Sequence, residues 1–190
     1  MPLSEPVGRE LLHQRDIVLH GFRRDDGQLD IEARLTDTKS YGFPSDDRGY
    51  IAKGEPLHGM SMRMTVDAEL LITAFEASTD YSPYSICPAA AENFGRLVGL
   101  RVGRGFLKAA AERVGGTHGC THLRELLQQM ATVAIQSLYS KRQKSEDSAS
   151  VPKGLLNTCY AYSTNGPLVQ KRWPEHYTGA PLSLPVPSEA

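Results

Sequence analysis

Residues 28–41 (QLDIEARLTDTKSY) alternate with a period of two: Leu29, Ile31, Ala33 and Leu35 share one face, and Asp30, Glu32, Arg34 and Thr36 the other. That is the pattern of a half-buried strand. The same alternation carried forward puts Asp37, Lys39 and Tyr41 on the core-facing side. A β-like run at 16–24 (DIVLHGFRR) precedes it, and Asp25-Asp26-Gly27 between the two is a tight-turn signal, so the pair is predicted to be a hairpin. A loop rich in Gly, Pro and Asp (42–56) leads to runs at 57–67 and 70–80, a second predicted hairpin. In its first strand His58, Met60, Met62, Met64 and Val66 share a face, with Ser61, Arg63 and Thr65 opposite, so a histidine opens an otherwise apolar stripe. In its second strand Leu70, Ile72, Ala74 and Glu76 alternate with Leu71, Thr73, Phe75 and Ala77, and either set fits a core.

After the turn-like 80–84 (DYSPY) the pattern becomes helical. Short Ala-rich segments are predicted at 89–98 and 106–114, and a long amphipathic helix at 121–142. In the long helix His122, Leu126, Met130, Val133 and Ser137 lie along one side, adjoined by Leu123, Leu127, Ala131, Ala134 and Leu138, and this helix is expected to cover the sheet. The fold class is therefore α+β: an antiparallel sheet of two hairpins under a long C-terminal helix and shorter ones. Domain organisation reads as an α+β catalytic or binding domain over 1–140, a polar linker over 141–154, a docking arm over 155–180 and a disordered tail over 181–190.

A chain of 190 residues suits one domain with a tail. Its net charge of -1, with Lys and Arg scattered, argues against a nucleic-acid partner. No window approaches the roughly 18 apolar residues of a membrane span, and the first residues lack a secretion signal, so a cytoplasmic protein is expected. Three cysteines (Cys87, Cys120, Cys159) at unrelated spacings argue against disulfides and against a zinc knuckle. GxGxxG, GxxxxGK[ST], GxSxG and CxxC are all absent, so no organic cofactor is expected. A small sheet leaves edges and a face to cover, which makes a homodimer plausible.

Two groups of residues carry candidate chemistry. Asp37, Lys39, Tyr41 and His58 fall where the apolar layer runs out, a usual place for a pocket with a few convergent polar groups, though ordinary rim salt bridges would give the same pattern. The second group, 115–122 (GGTHGCTH), enters the long helix with His118, Cys120 and His122. His118 and His122 stand at half-metal-site spacing, yet the Glu of HExxH is missing and Gly119 interrupts a helix, so packing roles compete with a metal site that could also draw on His58. A helix amino terminus is expected to keep His122 neutral and to favour a thiolate at Cys120. Arg63, Glu76 and Tyr84 are candidate substrate-binding residues, alongside Cys120, with surface pairing as the alternative.

The strings LTDTKSY (35–41), GEPLHGM (54–60), SPYSICP (82–88), GCTHLRELL (119–127), NTCYAY (157–162) and RWPEHY (172–177) resemble an uncharacterised bacterial family known as a domain of unknown function, over roughly residues 9–177. Its members occur in proteobacteria that degrade aromatic compounds, and the chain is similar to cofactor-independent γ-formaldehyde lyases of lignin-derived phenylcoumaran dimers. The resemblance implies a lyase that releases a hydroxymethyl group as formaldehyde while a ring ether opens to a stilbene. His58 or Asp37 would then be the base, Tyr41 or Lys39 would meet the leaving phenoxide, and His122 would complete the pocket. A metal-dependent protein using His118, Cys120 and His122, and a non-catalytic dimeric module that binds a small aromatic, are the alternatives.

Overall fold

The computed structural model describes residues 3–142 and 154–179. Its first hairpin folds about Asp26: β1 (His13–Arg23) and β2 (Leu29–Lys39) pair antiparallel, with Arg15 opposite Asp37 and Arg23 opposite Leu29. The Gly27 amide donates to the Arg24 carbonyl (3.1 Å), and Gly27 takes φ +84°, a left-handed conformation that a residue without a Cβ adopts freely. The stretch expected to be a plain loop (42–56) contains a small separate hairpin, β3 (Phe43–Ser45) and β4 (Gly49–Ile51). Strands of three residues are too short to show periodicity, which is why the pattern does not reveal them.

The second long hairpin is β5 (Pro56–Val66) and β6 (Ile72–Tyr81), and the main sheet runs in the order β1-β2-β5-β6. Leu29, Ile31, Ala33 and Leu35 of β2 and Met60, Met62, Met64 and Val66 of β5 are buried on one face, as the alternation predicts. The ambiguity of the fourth strand has a structural cause. Val66 pairs with Ile72 and Thr65 with Ala74, so an irregularity switches the inward set, and both Ile72 and Phe75 are buried.

Helices close that face. α1 (Ala89–Glu92) passes into a 3-10 turn at Asn93–Leu97, shorter than the single helix expected over 89–98. α2 (Phe106–Val114) and α3 (Thr121–Arg142) follow at the expected places. Phe94, Leu97, Phe106, Ala110 and Val114, with Leu123, Leu126, Leu127, Met130 and Ala134 of α3, complete one core with the sheet. α3 lies close against β1: a Cβ added at Gly21 would stand 2.3 Å from Ser137 Oγ and 3.2 Å from Val133 Cγ1. Among the described residues no helix is long and apolar enough to cross a membrane.

The chain divides into two compact units, Met1–Leu138 and Tyr139–Ala190. In the second, a 3-10 turn (Tyr160–Tyr162) and α4 (Pro167–Arg172) contribute Tyr162 and the buried Val169, and the buried Trp173 ring lies 6.1 Å from that of Tyr162. The tail expected at 181–190 and nearly all of the linker expected at 141–154 lie outside the described residues.

Candidate active site

Arg15, Asp37 and His58 stand directly opposite one another on β1, β2 and β5, a polar row across the covered face where the apolar layer ends. Just past this row the β2–β5 register shifts, Thr38 pairing with Pro56, and regular pairing stops. The Asp37 side chain is fully buried. Arg15 Nε donates to its Oδ1 (2.7 Å) and Arg15 Nη2 to its Oδ2 (2.8 Å), a bidentate clamp, while Arg15 Nη1 reaches Glu125 of α3 (2.5 Å). His58 Nδ1 lies 2.9 Å from Asp37 Oδ2, and His13 Nε2 3.3 Å from Oδ1. Burial alone would raise the pKa of Asp37, but the hydrogen bonds and charge of Arg15, with help from His58, outweigh it and hold the carboxyl at about 2.

An ionised carboxylate only accepts hydrogen bonds, so His58 carries its proton on Nδ1 and keeps the lone pair on Nε2. The imidazolium form of His58 is disfavoured, first by burial and then by the neighbouring His122, against the opposing pull of Asp37, so its pKa falls below the usual 6.5. The His58 and His122 rings are 4.0 Å apart, tilted by 34°. His122 sits in the first turn of α3, and its Nδ1 is 3.8 Å from the Cys120 sulfur. Both histidines open on a cavity of about 530 Å³, lined also by Met60, Tyr84, Cys87 and Cys120. This falls within the usual range for small-molecule sites.

The candidate residues separate into four places. Asp37, His58 and His122 converge, and Tyr84 and Cys120 share their cavity. Lys39 and Tyr41 do not join them: β2 ends at Lys39, the alternation lapses with it, Tyr41 is exposed, and the Lys39 ammonium lies 5.6 Å from the Tyr41 ring. Arg63 and Glu76 lie on the open face of the sheet, where Arg63 pairs with Glu32 (2.9 Å) and Glu76 (3.6 Å). His118 is exposed in a 3-10 turn, separated from α3 by the extended Gly119, so it does not share a helix face with His122. Gly119 is required there, because a Cβ would stand 2.0 Å from the Val114 carbonyl oxygen.

Arg15, His13 and Glu125 are the participants that the sequence reading overlooks. The signal for Arg15 was present, since a hairpin folded about Asp26 places residues equally distant from it, Arg15 and Asp37, face to face.

Ligand atoms of Asp37, His58 and His122 lie within 4.8 Å of one another, the one group of three potential metal ligands among the described residues. Both Asp37 oxygens, however, are already engaged by a guanidinium, whose positive charge opposes a cation at the carboxylate. The arrangement therefore suits proton transfer: a buried anion orienting a neutral imidazole that faces a largely apolar cavity. A family model described as "Protein of unknown function (DUF2889)" matches residues 13–136, from the first residue of β1 to near the end of α3. No curated protein and no solved structure matches the chain.

Proposed function

The chain belongs to the family described as Protein of unknown function (DUF2889), and from its site we propose that it is a cofactor-independent acid–base lyase that eliminates formaldehyde from a hydroxymethyl-bearing aromatic. The observation that carries this reading is the buried, ionised Asp37 bonded to His58 Nδ1 at the edge of a mostly apolar cavity. An Asp–His pair of this kind keeps the imidazole in one tautomer and makes Nε2 a base.

For a phenylcoumaran the electron balance closes without an oxidant or reductant. His58 Nε2 takes the proton of the γ-hydroxyl, the oxygen forms the C=O of formaldehyde, and the Cβ–Cγ bond breaks. Its electron pair becomes the Cα=Cβ double bond of the stilbene, and the Cα–O bond of the ring ether breaks to release phenoxide. The phenoxide takes a proton, and His122, in ring contact with His58, is placed for that role. Lys39 and Tyr41, the other groups suited to meet the phenoxide, lie outside the cavity lining. Met60, Tyr84, Ile86 and Ala90 give the cavity walls that suit an aromatic ring. The direct test incubates the purified protein with a phenylcoumaran dimer and assays formaldehyde and stilbene together. Equimolar release of both supports the reading, and release of neither by folded protein refutes it.

A second reading, a metal site, is favoured by the closeness of the Asp37, His58 and His122 ligand atoms. It requires Arg15 to yield at least one Asp37 oxygen. Elemental analysis decides it: a full equivalent of bound zinc, iron or nickel, lost in His122→Asn, would replace the acid–base reading.

A further inference from the structure

Residues 82–88, between β6 and α1, form one rim of the cavity and supply Pro83, Tyr84, Ile86 and Cys87 to its lining. Hydrogen bonding within this rim is mostly local, Ser82 Oγ and the Cys87 amide both donating to the Tyr84 carbonyl (2.8 and 3.2 Å). Little apolar burial holds it either, since Tyr84 is 58% and Ile86 78% exposed. The Ser85 amide is different. It donates to Asp47 Oδ2 at 2.6 Å, 38 residues away along the chain.

Asp47 occupies the turn between β3 and β4, and its neighbour Arg48 fixes that small hairpin to the main sheet. Arg48 Nη1 donates to the Pro56 carbonyl at the start of β5 (2.8 Å), Nη2 pairs with Glu55, and the guanidinium lies 5.8 Å from the Tyr81 ring at the end of β6. One turn residue therefore ties the hairpin to the sheet, and the next ties the rim to the hairpin. The Ser85 amide and hydroxyl keep the Asp47 carboxyl below its ordinary range, so the acceptor is charged at neutral pH.

We propose that Asp47 is a positioning residue: by accepting the Ser85 amide it latches rim 82–88 in place and so sets where Tyr84 and Cys87 stand at the mouth of the cavity. The inference rests on the reading of this cavity as the substrate site, and it gives Asp47 a role in binding an aromatic ring against Tyr84 rather than in proton transfer.

The test has two readouts in the full-length chain. In a Cys159→Ser background, which removes the exposed thiol, Cys87 is labelled with a disulfide reagent and its rate followed by peptide mass spectrometry. Asp47→Ala is expected to speed labelling of Cys87 about three- to tenfold, the range set by losing one charged hydrogen bond in a partly exposed place. Asp47→Asn, which keeps an acceptor oxygen, should fall between Asp47→Ala and the parent, and Asp46→Ala should match the parent. With the phenylcoumaran, KM should rise by a similar factor in Asp47→Ala while kcat holds. Unchanged labelling in both Asp47 variants overturns the latch, and so does a fall in kcat at constant KM. If labelling accelerates but the parent releases no formaldehyde, the latch stands and the lyase reading falls. Should Asp47→Ala fail to fold, Asp47→Asn and Ser85→Pro, which removes the donor instead, give the same comparison.

Discussion

Two polar rows cross the same sheet, and they behave differently because they lie on opposite faces. His20, Glu32, Arg63 and Glu76 are direct neighbours on β1, β2, β5 and β6, and Arg63 joins the two glutamates. Arg15, Asp37 and His58 repeat the theme on the other face, again with a guanidinium beside a carboxylate on β2. Glu32 and Asp37 differ by an odd number of residues, so the pleat turns them to opposite sides. On the open side the Arg63 and Glu32 side chains remain 46% and 39% exposed, and water screens their attraction. On the covered side Asp37 is fully buried, its charge persists only through its partners, and that charge fixes the tautomer of a histidine. A guanidinium–carboxylate pair is a solvated ion pair in one row and a buried clamp that orients a histidine in the other, and burial makes the difference.

The two rows diverge first, and by the largest factor, in catalysis. His58→Gln and Asp37→Asn are each expected to lower kcat for formaldehyde release about 10²- to 10⁴-fold, the usual loss of a general base, while Glu32→Gln and Glu76→Gln leave it unchanged in the same assay. Stability separates the rows next. Arg15→Met leaves a buried carboxylate without its clamp and should cost about 3 kcal/mol, whereas Arg63→Met should cost at most about 1 kcal/mol in urea unfolding. Acid sharpens the contrast further. Asp37 is held at about 2 against an ordinary 3.8, a lowered value, so its contribution is complete above pH 4 and disappears as the pH falls toward 2. That loss amounts to about 2 kcal/mol in acid unfolding, and Asp37→Asn should remove this part of the pH dependence. The smallest effect is on the pH–rate profile. His58 should keep its base form below pH 6.5, and His122→Asn, by removing a repelling neighbour, should move the acid limb of residual activity upward.

The long elements were legible because their periods are regular: the alternation of β2 and the Met stripe of β5 name the covered face, and Asp25-Asp26-Gly27 names the turn. The alternation also carried Asp37 and His58 to the right place. It misled at Tyr41, because a period of two holds only while the strand lasts, and β2 stops at Lys39, which is half-buried but outside the cavity lining. Arg15 lies just before the β-like run read from Asp16 onward, whereas β1 begins at His13, so the strand's first three residues escape the pattern. His122 joined the site through helix packing, a long-range contact that no local pattern encodes, while Arg63 and Glu76 line a separate hollow of about 470 Å³ on the open face. The β3–β4 hairpin and Asp47 were invisible, since neither a three-residue strand nor a single turn carboxylate has a period.

Buried Asp37 fixes His58 as a neutral base with its lone pair on Nε2. Titration of the histidine ring nitrogens by NMR in the full-length protein tests it directly. His58 should show a proton on Nδ1 and a pKa below 6.5, which falls further in Asp37→Asn and rises in His122→Asn. A His58 that titrates at or above 6.5, or one indifferent to both substitutions, would overturn that assignment.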